Sequence, residues 1–237
     1  MLVTTRAIVL RVVRHGDSSA VLKLYTEHHG LRGYAVRVGG KSGIAPALLG
    51  PLQRLVVVAQ ERGDRELHHL REVRPDKPFM NVDGDPVRGG VLLFLQEVLI
   101  RALHEESGDT VLFAFLQYAL DVLDDAPDLG HYPIAFLAGL SQRLGFAPER
   151  PEEEAPWFDM SEGVFTSLEP QHPHAFTGPI VPLFAQLLQH DLSGCHGLGA
   201  GATARRALLE KLLQFYRLHV AGFGELRSPA VLHTVLG

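Results

Sequence analysis

Hydrophobic positions along this 237-residue chain follow two different periods, and the change from one to the other divides the sequence. From Thr4 to about Pro75 the pattern is extended. Ala7–Val13 is β-branched and is followed by the turn His15-Gly16-Asp17. Residues 20–26 alternate apolar with polar before the turn at His28-His29-Gly30. Residues 31–38 give a third strand, and 52–59 and 66–73 a fourth and fifth joined by Arg62-Gly63-Asp64. Five short strands in some seventy residues predict a small closed barrel, of which the oligonucleotide-binding (OB) barrel is a common form.

Residues 75–86 hold three prolines and read as a linker. Beyond them the period is helical. Val91, Leu92, Leu95, Val98, Leu99, Ala102 and Leu103 mark one apolar stripe, and Leu112, Phe115, Leu116, Ala119, Leu120 and Leu123 a second. A third helix covers 134–144, with Gly145 placed to stop it. The proline-rich, acidic stretch that follows predicts an irregular hairpin around Trp157–Phe165. Helices resume at 179–189 and 203–220, and a short last one follows Ser228. The fold class is therefore α+β and multi-domain: a five-stranded OB barrel over residues 1–78, then an α-helical domain over 79–237 with an irregular insert at about 146–178.

Charge sharpens this division. Residues 1–60 carry eight basic side chains against two acidic ones, Asp17 and Glu27, a net of +6 in a chain whose total is −5. The remainder, with fourteen basic against twenty-five acidic residues, sums to −11. A basic β module on an acidic helical body predicts a polyanion-binding barrel with a separate role for the helices. Arg6, Arg11, Lys23, Arg32, Arg37 and Lys41 fall on strands or loops of the barrel, mostly without an obvious acidic partner. Phosphates are the natural counter-ions of such a face. Tyr25 and Tyr34 are candidate platforms for stacking bases. The competing reading is that these cations only solubilise the barrel or bridge to the acidic body.

Enzyme chemistry finds little support in the sequence. It contains no G-x-S-x-G, no G-x-x-x-x-G-K-[ST] and no H-E-x-x-H. Gly39-Gly40-Lys41-Ser42 lacks the upstream glycine and following helix of a phosphate loop, and reads as a mobile basic hairpin loop. Thirteen histidines raise the question of metal, but His28-His29, His68-His69 and His172-Pro-His174 show no zinc-like spacing. The single cysteine, Cys195, excludes an internal disulfide and a four-cysteine zinc site, which fits a reducing cytoplasm. It has no evident base or oxyanion donor beside it, so it reads as a bystander. The N-terminus lacks the apolar core of a signal peptide, and the most apolar run is too short and too charged to span a bilayer. A cytoplasmic, soluble protein is expected, with no cofactor and no metal.

Several residue runs resemble a known family. Thr5-Arg-Ala-Ile-Val-Leu10, Gly16-Asp-Ser-Ser19, Leu24-Tyr-Thr-Glu-His-His-Gly-Leu31 and Leu49-Gly-Pro-Leu52 resemble the opening of the RecO recombination mediators. Tyr216-Arg-Leu-His219, Gly222-Phe-Gly-Glu-Leu-Arg-Ser228 and Val231-Leu232 resemble that family's ending. The likeness brackets the chain, and residues 75–200 agree in character more than in letters. It implies a non-enzymatic DNA-repair protein that binds single- and double-stranded DNA and anneals complementary strands. Its implied partners are RecR and the acidic, phenylalanine-ended tail of single-stranded-DNA-binding protein, through which RecA is loaded onto coated strands. Arg205, Arg206 and Arg217, on a late helix, are candidates by chemistry for gripping that tail. Many members carry four zinc-binding cysteines in the insert, whereas the corresponding segment here, 146–176, has none. No structural zinc is expected, and the aromatic residues of the hairpin are expected to pack the insert instead. The alternative function is a docking adaptor whose basic barrel binds an acidic protein; a metal- or thiol-dependent enzyme is a third class.

Overall fold

The computed structural model describes residues 2–40, 43–60, 67–104, 108–151 and 154–237. Two compact units emerge, Met1–Asp83 with Leu95–Ala114 and Gly84–Phe94 with Phe115–Gly237. In the first, β1 (Leu2–Arg14), β2 (Ser19–Thr26), β3 (Gly30–Arg37), β4 (Arg54–Gln60) and β5 (Leu67–Pro75) form a closed barrel in the order β1-β2-β3-β5-β4. All pairings are antiparallel except β3 with β5, which is parallel. This is the five-stranded, OB-like arrangement that the strand count predicts. Alternate residues fill its interior: Ala7 and Val9, Leu22 and Leu24, Tyr34 and Val36, Leu55, Val57 and Ala59. Each buried Val or Leu contributes up to about 2 kcal/mol, so the inward set dictates the register.

Two bulges break that alternation. Val9 pairs with Leu24 and Arg11 with Lys23, leaving Leu10 as an extra residue in β1. In β5, Leu70 pairs with Ala59 and Glu72 with Val58, leaving Arg71 extra. The fourth strand begins later than the sequence pattern suggests. Leu52 sits at φ 51, a left-handed backbone that ends strand geometry, and donates its N–H to Val9 (3.0 Å) while its side chain is buried.

The helical elements are α1 (Pro86–Ala102), α2 (Thr110–Asp125), α3 (Tyr132–Arg143), α4 (Ile180–Leu187), α5 (Ala202–His219) and α6 (Pro229–Val235). Asp85 caps α1, its Oδ1 accepting the N–H groups of Val87 (2.8 Å) and Arg88 (3.1 Å). Arg88 donates in turn to the carbonyls of Asp124 (3.2 Å) and Ala126 (2.6 Å), at and just beyond the end of α2. Gly145, at φ 85, closes α3 as predicted. Buried Tyr132 and Tyr216 donate their hydroxyls to Ala119 (2.6 Å) and Leu137 (2.7 Å), and burial holds both phenols well above their ordinary pKa.

The insert has one strand more than the expected hairpin. β6 (Trp157–Asp159) lies between β7 (Val164–Thr166) and β8 (Ala175–Thr177). Fully buried Phe158 gathers Phe165, Phe176 and Phe184 at ring-centre distances of 4.9, 5.2 and 5.0 Å. Among the described residues no three His, Cys, Asp or Glu side chains are grouped to hold a metal ion.

Candidate nucleic-acid interface

The outward positions of β2 and β3 alternate with the core residues, so Val21 and Lys23 on one strand neighbour Gly33 and Ala35 on the other. With no side chain at Gly33 and only a methyl at Ala35, this surface carries little bulk there. At its far end lies a groove of about 710 Å³, with Arg37, Arg71, His15 and His69 on its walls and Ala35 and Ile44 among its apolar contacts. Among the described residues no carboxylate lines it. Arg37 is exposed at the last position of β3, and the extra residue in β5 presents Arg71, which donates to Gln60 Oε1 (2.7 Å). Groove walls of this charge and an apolar floor suit a sugar-phosphate chain.

The predicted contact residues divide. Arg11 and Lys23 are exposed and directly opposite one another across β1 and β2. Arg37 lines the groove. Arg32 is partly covered and makes only a weak contact to its own neighbour's carbonyl, Leu31, at 3.5 Å. Lys41 lies outside the described residues.

Three of the predicted contact residues are already engaged within the protein. Arg6 is not an open cation: its Nε donates to Glu27 Oε2 (2.9 Å), its second terminal nitrogen pairs with Oε1, and its guanidinium lies over the Phe113 ring at 5.4 Å. The Arg6 hydrogen bond holds the Glu27 carboxyl below its usual range. Tyr25 is buried against Phe113 (6.3 Å between ring centres), and burial pushes its phenol up to about 12. Tyr34 is fully inside the barrel beside His68. Tyr25 lies on the outer face of β2 and is covered by Phe113, whereas Tyr34 is inside the barrel, so neither ring is presented to solvent. Conversely, His15, His69 and Arg71 escaped the sequence reading. Arg71 sits on a strand correctly read as strand five, but only the bulge reveals which way it turns.

A second feature lies in the helical unit. Arg205 and Arg206 line a small cavity of about 30 Å³ with Pro133, Ile134, Leu209 and Leu232. Both guanidinium groups donate to backbone carbonyls, Arg205 to Ala200 (2.8 Å) and Arg206 to His233 (3.0 Å). Arg217 is not part of it. It lies twelve residues further along α5, about 18 Å at 1.5 Å per residue, and donates to Gly224 (3.2 Å). Cys195 is buried, donates to Leu192, and burial raises its thiol to about 11, far from a nucleophile's range.

Comparison with known proteins adds the decisive observation. The model of the N-terminal region of recombination protein O matches residues 1–79, and the model of its C-terminal region matches residues 84–229. The chain belongs to the RecO family. The DNA repair protein RecO of Bacteroides fragilis is 32% identical over 98% of both chains. Its counterpart in Christiangramia forsetii is 28% identical over the whole of both, and that of Flavobacterium psychrophilum 29% over 99%. RecO membership makes DNA repair the setting of the cationic barrel and gives the two matched regions the same order as its β and helical elements. Among the described residues no helix is long and apolar enough to cross a membrane.

Proposed function

We infer that this chain is a recombination mediator that binds single- and double-stranded DNA on its barrel, anneals complementary strands and helps load RecA onto strands coated by single-stranded-DNA-binding protein. The observation that carries this reading is the cationic groove at the end of the β2–β3 face, lined by no carboxylate among the described residues, in a chain of the RecO family. Arg37 and Arg71, with Arg11 and Lys23 along the same strands, supply phosphate contacts that need no sequence preference. RecR and the tail of single-stranded-DNA-binding protein are the proposed partners, and no catalytic step is assigned to any residue.

For the tail, the cavity beside Arg205 and Arg206 offers cations for carboxylates and aliphatic walls for an aromatic ring. At about 30 Å³ it holds little more than a water molecule, so admitting a phenylalanine requires its walls to part. Fluorescence anisotropy of labelled single- and double-stranded oligonucleotides, at low and moderate salt, tests the DNA reading. Salt-sensitive binding without sequence preference supports it. No binding at low salt would return the barrel to the competing role of docking an acidic protein.

A further inference from the structure

Two transverse rows of residues cross the outer face of the barrel at the Arg37–Arg71 groove. In one, Val21, Ala35 and His69 are successive partners across β2, β3 and β5. In the other, Ser19 is the partner of Arg37, and His15 donates its backbone N–H to the Ser19 carbonyl (2.8 Å). Strand register thus gathers His15, Ser19, Arg37 and His69, drawn from three separate stretches of sequence, onto one surface. With strands about 4.8 Å apart and residues about 3.3 Å apart along them, the backbones of His15 and His69 each lie about 8–10 Å from that of Arg37. Arg71, the extra residue of the β5 bulge, completes the set two positions beyond His69.

His15, His69, Arg37 and Arg71 are all exposed and all line the groove. Its floor is open as well, since Val21, Ala35, Ile44, Leu48, Leu70 and Val73 each keep part of their surface in solvent. Among the described residues the charged groups that share these walls with the two imidazoles are Arg37 from β3 and Arg71 from β5. Arg14, Asp17 and Glu72, neighbours of the histidines in sequence, are exposed and lie outside the walls. No carboxylate on the walls is therefore placed to pair with a charged imidazole, and the anion that can do so is one the groove takes from solution. Histidine changes its charge between pH 5 and 8, whereas arginine is charged throughout.

We propose that His15 and His69 are proton-dependent phosphate contacts, which tighten the groove's hold on a DNA strand as the pH falls from 8 to 5.5. The proposal rests on the DNA-binding reading above and deepens it. Arg37 and Arg71 supply the contacts present at every pH, and each protonated imidazole adds one more. A phosphate favours the charged ring, so binding takes up protons and acid strengthens it. Every added phosphate contact also releases counter-ions, so the salt dependence steepens together with the affinity.

The test is fluorescence anisotropy of a labelled mixed-sequence single strand with the full chain, at pH 8 and pH 5.5 over a series of salt concentrations. Wild-type affinity is expected to rise about ten-fold on acidification. The log–log salt slope should steepen by about 1.4, or about 0.7 for each phosphate gained. The other eleven of the chain's thirteen histidines charge over the same range, so two variants carry the decision. His15→Gln combined with His69→Gln should remove most of both changes. His15→Lys combined with His69→Lys should bind at pH 8 as tightly as wild type does at pH 5.5. Melting temperature at each pH confirms that the variants are folded, which the exposure of both side chains favours. The proposal is overturned if wild-type affinity and slope are the same at both pH values, or if their changes persist undiminished in the glutamine variant. It is equally overturned if the lysine variant gains nothing at pH 8, or if an acidic peptide and no oligonucleotide shows the histidine-dependent rise. Absence of DNA binding by wild-type protein at both pH values would end the underlying reading. Loss of binding on Arg37→Gln, with an undiminished pH response in the glutamine variant, would end this proposal alone.

Discussion

Tyr34 and Tyr25 show how far a side chain's role depends on the direction in which its strand turns it. Both carry a ring and a hydroxyl on strands of a basic barrel, but Tyr34 is enclosed with His68 and Tyr25 lies against Phe113. Truncating Tyr34 to alanine empties a filled core and is expected to cost about 3–5 kcal/mol in urea denaturation. Tyr25→Phe, which keeps the buried ring, should leave oligonucleotide affinity within about two-fold. A large, specific loss of affinity in a folded Tyr25→Phe protein would instead assign the hydroxyl a contact with DNA. Cys195 offers a simpler check. With its thiol raised to about 11, its thiolate is scarce at pH 8, so alkylation should be slow in the native protein and fast after denaturation. Rapid native labelling would reopen the thiol-enzyme alternative.

Element boundaries are set by groups that satisfy backbone atoms at helix and strand ends. Asp85 accepts two N–H groups at the start of α1 and pairs with Arg88 (2.5 Å), and these contacts hold its carboxyl below the usual carboxylate range. A depressed carboxyl stabilises the fold at pH above its unfolded value, near 4, and that contribution disappears as the pH falls through the native value. Asp85→Asn should therefore lower the melting temperature at pH 7 and converge with wild type in strong acid; equal differences at all pH values would contradict the charge-based account. Arg88 belongs to the same structure, since it also closes the end of α2. Arg88→Ala removes both of these hydrogen bonds, and a loss of about 2–3 kcal/mol is expected in chemical denaturation. Gly139 in α3 shows packing at the same scale. A Cβ there would meet the Phe115 ring at 2.9 Å, so even alanine must displace the ring.

At the scale of the molecule, the segregation of charge matters more than any single contact. A chain of net −5 is repelled by DNA as a whole, yet its first sixty residues are net +6. Binding through the cations of the barrel should weaken with salt in proportion to the number of phosphates they contact. Replacing Arg37 and Arg71 together with glutamine removes two phosphate contacts and should flatten the log–log salt dependence for single strands by about 1.4. An unchanged slope would remove the groove from the DNA surface. Arg6→Gln should change that slope little, because Glu27 already neutralises Arg6.

The sequence by itself determined the class of the fold and the order of its elements. A two-residue period over the first seventy-five residues and a helical period beyond it follow from which side chains must be buried, and burial is written along the chain. The charge split and the runs shared with RecO proteins were legible for the same reason, since both are local. What required tertiary structure was every question of direction and partner. Arg6 met its acid twenty-one residues away, and the two tyrosines turned out to face packed interiors. One extra residue at Leu10 turned Arg11 toward Lys23, and another brought out Arg71. The third strand of the insert, β8, was hidden because three residues are too few to show a period. A pattern along one strand fixes alternation but not phase, and the phase is set by hydrogen bonds to strands and helices distant in sequence.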